Sequence, residues 1–269
     1  MSDPKSGFSE SLSPRPPSLD GWQVVVTRPK PAADQTAKVL RSAGAQVLVA
    51  PMLDISALPL PPTQADALAS QLADSGFATS IFVSTHAVEH GLHALGDVRP
   101  SALGAVFAIG AATARRLADK GFPDARAPET GEDSEALLAD ARFAEVNGQH
   151  ILLVRGQSDA GGRQLLADTL RARGAALMEL ICYERRPAEL AADALDQLRE
   201  AVSQGAAVLF GSVETLESFA RVIPISSIRV ALVPHPRIAA VAQQLGAAET
   251  RVVSLADNKL VASMLVPVA

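Results

Sequence analysis

Cysteine occurs once in this 269-residue chain, at Cys182. One thiol can form neither an internal disulfide nor a cysteine-rich zinc site, so a reducing, cytoplasmic setting and no structural metal are expected. The five histidines include no HExxH pair, and no cofactor is expected. Aromatic residues make up only 4%. That speaks against an aromatic-rich β-sandwich and against a platform for stacking nucleic-acid bases. Positive charge is not in excess either: the formal net charge is -5 and the pI about 5.6. A global field that would gather nucleic acid is missing, and an anionic ligand would need local donors. No apolar run reaches the roughly 20 residues that span a bilayer, so no membrane partner is expected. The opening stretch, MSDPKSGFSESLSPRPPSLDG, is rich in Ser and Pro and has no apolar core of a secretory signal. Residues 1–20 are expected to form a disordered leader.

What the chain does have is apolar bulk and a rhythm. Apolar residues are 48% of it, enough for a core in one large domain or two ordinary ones. WQVVVTRP, from Trp22, reads as a short buried strand closed by Pro29. AADQTAKVLRSAG puts Ala33, Ala37 and Leu40 on one helical face, with Gly44 as the stop. AQVLVAPMLDI reads as a second strand. Further strands are expected at SIFVST, AVFAIG, HILLVRG, ALMELICYERR, VLFGS, RVALVP and RVVSL. Helices are expected at HAVEHGLHAL, ATARRLADKG, SEALLADARF, RQLLADTLRARG, VETLESFARVI, RIAAVAQQLG and NKLVASML. Strand–helix–strand alternation implies βαβ units and parallel sheets.

The chain also repeats. VVVTRP matches ILLVRG, pairing Arg28 with Arg155 at a spacing of 127 residues. IFVSTHAVEHGL matches VLFGSVETLESF, pairing Ser84 with Ser212 at 128, and Gly121 pairs with Gly246 at 125. Three blocks in one order at a nearly constant spacing imply an α/β fold of two similar doubly wound parallel-sheet domains. Ligands of such sheets sit beyond the carboxyl ends of the strands, and two domains make a cleft.

Those strand ends carry the candidate site residues. They are Thr27-Arg28, Ser84-Thr85-His86, Gly110 through Thr113, Arg155-Gly156, Gly211-Ser212 with Val213 after them, and Pro234-His235. Each stands just before a helix or a turn, where unpaired N–H groups and a partial positive charge suit carboxylates. Taken singly, each has a plainer reading. Ser and Thr are ordinary N-caps and Gly ordinary turn chemistry. Arg28 and Arg155 either grip a ligand carboxylate or brace their own domain against an acidic side chain. Tyr183, the one tyrosine, is either a packed aromatic or a proton relay. Cys182, in LIC, reads as an inert buried thiol. GQSDAGGR, residues 156–163, lacks both the P-loop pattern and GxGxxG spacing and reads as a flexible turn bringing Arg163 near the cleft. No Ser–His–Asp order, carboxylate pair or metal spacing stands out, which suggests chemistry that depends on binding and shape.

Over residues 22–266 these blocks resemble the uroporphyrinogen-III synthase family. The family's opening TRP is here Thr27-Arg28-Pro29, and its F-T-S-x-N-A-V block is Phe82 through Val88. Its I-G-x-x-T-A block is Ile109 through Ala114. Its L-x-R-G, G-R-x-x-L and tyrosine strand are Leu153 to Gly156, Gly162 to Leu166, and Tyr183-Glu184-Arg185. A second F-x-S block is Phe210-Gly211-Ser212. Val83, His86, Val213-Glu214 and Pro234-His235-Pro236 depart from the usual residues.

The resemblance implies a discontinuous first domain, 21–50 plus 186–269, and a second at 54–180. Two antiparallel linker strands, 51–55 and 180–186, would join them, with the active site in the interdomain cleft. It implies a monomer that binds hydroxymethylbilane, a linear tetrapyrrole polycarboxylate, with a transient hand-over from the preceding pathway enzyme left open. Loss of water would give an azafulvene cation, and a spiro-pyrrolenine would invert ring D to yield uroporphyrinogen III. Tyr183 would assist departure of the hydroxyl. Thr27, Arg28, Ser84, Thr85, His86, Gly110, Thr113, Arg155, Gly156, Arg163, Gly211, Ser212, Val213 and His235 would hold substrate. Two other classes remain: a two-lobed protein that binds or senses a small anion without turnover, and a glycosyltransferase, for which no nucleotide-sugar pocket is legible.

Overall fold

The computed structural model of the chain describes residues 17–131, 133–157 and 164–266. Arg163 and the glycine-rich stretch from 158 on lie outside the described residues. The chain divides into two compact units. One joins the residues up to Asp54 to those from Pro187 on, and the other is Ile55–Arg186.

In the first unit the elements are β1 (Gln23–Val26), α1 (Ala32–Ser42), β2 (Gln46–Val49), α7 (Ala192–Ser203), β8 (Ala207–Leu209), α8 (Val213–Ala220), β9 (Ala231–Val233), α9 (Pro236–Gln244), β10 (Thr250–Val252) and α10 (Asp257–Met264). In the second they are α2 (Pro62–Asp74), β4 (Thr79–Phe82), α3 (Thr85–Leu95), β5 (Ala105–Ala108), α4 (Ala111–Asp119), α5 (Ser134–Leu138), β6 (His150–Gly156) and α6 (Gln164–Ala172). The strands β3 (Leu53–Ala57) and β7 (Ala176–Pro187) belong to the second sheet, and the chain passes between the units within them.

The first sheet runs β10-β9-β8-β1-β2, its neighbours parallel. The three valines of β1 explain its central place. Side chains alternate across a strand, so Val25 enters one core layer with Leu198 and Phe219, while Val24 and Val26 enter the other with Leu40 and Leu260. Helices α7, α8 and α9 thus cover one face and α1 and α10 the other. Each fully buried valine contributes about 1.5–3 kcal/mol.

The second sheet runs β3-β7-β6-β4-β5. Its strands β7, β6, β4 and β5 are parallel, whereas β3 runs the other way. Leu58 N–H bonds the carbonyl of Cys182 and Ala188 N–H that of Met52, so one number rises as the other falls. Strands β2-β1-β8-β9 and β7-β6-β4-β5 occupy matching places, which is the repeat read from the sequence, in a different chain order. The repeat starts earlier than the expected strand at Trp22. Leu19 is 0% exposed, its N–H bonds Ala43, and Asp20 lies against Gly44 as Asn147 lies against Gly174. Gly44 and Gly174 have φ of +97° and +85°, which side chains disfavour. The expected leader therefore includes residues 17–20, which the structure shows folded onto the first unit.

Three other expectations change. AQVLVAPMLDI is two strands, β2 and β3, in different sheets: Pro51 has no N–H for the ladder, and the chain leaves one sheet for the other there. SEALLADARF is α5 followed by a 3-10 turn at Ala141–Phe143, because the Asp140 carboxylate accepts the Arg142 N–H and starts a new turn. Helices α2 and α7 had no counterpart in the sequence reading. Helix α2 buries only Leu68, so its 3.6-residue stripe is thin, whereas α7 carries Leu195, Leu198 and Val202 at helical spacing and buries the last two.

Candidate active site

In the second unit, four parallel strands bring their carboxyl ends to one edge, and the ends of β4, β6 and β7 meet around Tyr183. Register places it there. Arg155 pairs with Ile181 but Gly156 with Tyr183, so Cys182 is an extra residue on β7. Such a bulge re-aims the side chain after it. The Tyr183 ring packs directly against Gly156: a Cβ on that glycine would stand 2.4 Å from Cε2 and Cζ. The ring is 1% exposed.

The phenol oxygen lies 2.9 Å from Ser84 Oγ and 3.4 Å from Arg185 Nη2. Ser84 is the N-cap of α3, accepting the Ala87 N–H at 3.0 Å. The imidazoles of His86 and His90, one turn apart on α3, have centroids 5.9 Å and 5.6 Å from that of the phenol ring. The Arg185 guanidinium carbon lies 5.7 Å from the ring centroid. Burial lowers the pKa of His90, with Glu89 pulling it up and His93 down, so this imidazole favours its neutral form. Thr85 opens α3, Gly110 caps α4 without a side chain, and Thr113 is buried in the first turn of α4.

Arg155 is drawn away from this edge. Its guanidinium pairs with Glu179, which Arg171 also holds. Burial raises the Glu179 pKa, but the hydrogen bonds from Arg171 and Arg155 outweigh it and the net shift is downward. Of the two readings of Arg155, the structure displays the internal brace. Cys182 Sγ lies 3.6 Å from the Arg155 carbonyl, and burial pushes its pKa up to about 12.

The first unit gathers the matching strand ends. Thr27 is buried and its hydroxyl donates to the Leu209 carbonyl at 2.9 Å, joining β1 to β8. Arg28 is half-buried, and its Nη1 donates to Thr36 Oγ1 at 2.8 Å. No carboxylate reaches ion-pair distance of Arg28 among the described residues. Burial lowers its pKa and the charge of Asp257 partly restores it, and a guanidinium stays charged throughout. A Cβ on Gly211 would lie 3.3 Å from Arg28 Cγ, so the absent side chain leaves room along the arginine stem. Ser212 and Thr215 form a reciprocal capping box on α8, which Val213 opens. His235 caps α9, its Nδ1 accepting the Arg237 N–H at 3.0 Å, and is exposed.

Ser84, His86, Gly156 and Tyr183 thus come into contact. Thr85, Gly110 and Thr113 sit at the neighbouring strand ends, and Thr27, Arg28, Gly211, Ser212, Val213 and His235 form a separate set in the first unit. Sequence reasoning missed Arg185, His90 and Thr36. The signal was available for two of them: Arg185 follows Tyr183 by two, the same face of a strand, and His90 follows His86 by four, the same face of a helix. Among the described residues no cluster of metal-ligating side chains occurs, and no helix is long and apolar enough to cross a membrane.

Residues 34–259 match the family model described as Uroporphyrinogen-III synthase HemD. The uroporphyrinogen-III synthase of Escherichia coli K12 is 32% identical over 246 residues, covering 87% of this chain and 96% of that protein. That of Proteus mirabilis is 34% identical over 165 residues, 60% of this chain and 79% of that protein. A mutant uroporphyrinogen III synthase of Thermus thermophilus superposes with a TM-score of 0.57 at 19% identity, over 90% of this chain and 96% of that one. The Helicobacter pylori uroporphyrinogen-III synthetase gives 0.53 at 17%, over 86% and 92%. These two solved structures share the fold.

Proposed function

The chain belongs to the uroporphyrinogen-III synthase family, and from that premise we propose that it closes hydroxymethylbilane to uroporphyrinogen III, with Tyr183 as proton donor to the departing hydroxyl. The synthase activity follows from the family match, which spans most of the chain. The observation that carries the role of Tyr183 is the phenol oxygen held between Ser84 and Arg185 at the carboxyl ends of β4 and β7.

In this reading the phenol proton passes to the hydroxymethyl oxygen, the carbon–oxygen bond breaks and water leaves. The resulting azafulvene cation is attacked by the substituted carbon of ring D, giving a spiro-pyrrolenine that fragments and re-closes with that ring inverted. The substrate also closes unaided to the other isomer, so the protein's main contribution is orientation, which excludes the unproductive attack. Substrate carboxylates are offered Arg28, whose donors meet no acidic side chain among the described residues, and the first-turn backbone of α4 and α8 after Gly110 and Ser212. Substrate entry has to uncover the phenol, since Tyr183 is 1% exposed. We place the protein in the cytoplasm as a monomer, and gel filtration tests the monomer.

The test generates hydroxymethylbilane in situ, oxidises the products and separates the porphyrin isomers. Mostly type III isomer is expected. Only type I, equal to a protein-free control, would sink the synthase reading and favour a protein that binds the anion without turnover. Tyr183→Phe is expected to lower turnover on the order of 100-fold, the usual scale for losing a general acid, with a near-native melting temperature.

A further inference from the structure

Ser84 was expected to touch substrate, but its hydroxyl is already engaged within the chain. A serine hydroxyl has one proton and two lone pairs. One lone pair takes the Ala87 N–H at 3.0 Å, which fixes the side chain at the start of α3. The phenol oxygen of Tyr183 stands 2.9 Å away, a contact in which either atom can donate. Arg185 occupies one of the two phenol lone pairs. A guanidinium only donates, and its Nη2 faces the same phenol oxygen at 3.4 Å. When Ser84 donates as well, both phenol lone pairs are used and the phenol's own proton is left to point outward.

We propose that Ser84 is a positioning residue for Tyr183, its hydroxyl orienting the phenol so that the phenolic proton faces the substrate. The inference rests on the proton-donor reading of Tyr183. When that proton moves to the departing hydroxyl, the O–H electron pair stays on the phenol oxygen, where Ser84 O–H and the Arg185 cation hold the negative charge. The proton lost as the closing pyrrole regains aromaticity restores the phenol, so the step balances without a co-reactant. The serine is held by the N-terminus of α3, so the phenol takes its orientation from a helix rather than from a flexible side chain.

The test compares Ser84→Ala, Ser84→Gly and Ser84→Thr, alone and with Tyr183→Phe, by kcat, KM and isomer ratio. Glycine is a tolerated N-cap without a hydroxyl, and threonine keeps both functions. Ser84→Gly separates loss of the hydroxyl from loss of the helix cap. The expected result is about a 10-fold fall in kcat for Ala and Gly, the scale of one hydrogen bond. KM stays within about 2-fold and Thr recovers most of the loss. In the Tyr183→Phe background, Ser84→Gly lowers kcat no further. A raised KM at unchanged kcat would make Ser84 a substrate ligand and overturn the inference. A full additional loss on top of Tyr183→Phe, or Ser84→Gly behaving as the unaltered protein, would overturn it too while leaving Tyr183 in place. Tyr183→Phe turning over at the unaltered rate would remove the proton-donor reading itself.

Discussion

At the scale of single residues, burial sorts the reactive groups by what they can still do. Cys182 is 1% exposed and its pKa is raised to about 12 by desolvation of the thiolate. A raised folded-state pKa means that the protonated thiol is the form folding favours. Its contribution to stability is therefore complete below the ordinary thiol pKa of about 8.5 and is lost as pH rises through about 12. The expected outcome at pH 8 is one thiol titrated by an aromatic disulfide reagent in denaturant and almost none in the native protein. Equal rates in the two states would show the thiol accessible. The two arginines of the repeat divide in the same way. Arg155 is spent on Glu179, while Arg28 has only the Thr36 hydroxyl as a side-chain hydrogen-bond partner among the described residues.

At the scale of elements, one extra residue on β7 decides where the site is. Without the slip between Arg155 and Gly156, Cys182 rather than Tyr183 would lie opposite Gly156. The glycine is required by contact, since its φ is not in the left-handed region and the Tyr183 ring occupies the place of a Cβ. Gly156→Ala is expected to cost about 1–3 kcal/mol, the scale of overpacking in a filled core, and to depress turnover by pushing the phenol off Ser84. A denaturant melt and the isomer assay on the same preparation check both. Retention of both would show that the ring can step aside. Helices α3 and α8 illustrate how equivalent N-caps diverge: Ser84 spends its hydroxyl on Ala87 and Tyr183, Ser212 on a closed box with Thr215.

At the scale of the whole molecule, each unit has its own core. One buried cluster runs from Leu68 to Tyr183 within the second unit, and two others lie within the first. The second unit is also continuous in the chain, whereas the first is assembled from two distant stretches. A fragment spanning residues 53–187 keeps every strand of the second sheet. It is expected to fold alone, with a cooperative denaturant transition by circular dichroism and dispersed amide resonances. A fragment without a transition would mean that this core needs the rest of the chain.

The sequence by itself determined the repeat, the parallel sheets and the small or basic residues closing each strand, because hydrophobic rhythm and turn chemistry are local. It also carried the family resemblance, because the blocks keep their order and spacing. Helix α2 escaped it for want of a strong apolar stripe, since it buries only Leu68. Only the tertiary structure decided which strand-end residues are already committed. Thr27 is tied to Leu209, 182 residues away, Tyr183 to Ser84 across 99, and Arg155 to Glu179 across 24. Those partners are set by strand register and by a one-residue bulge, and a shift of one residue turns a side chain to the opposite face. No local pattern encodes that choice.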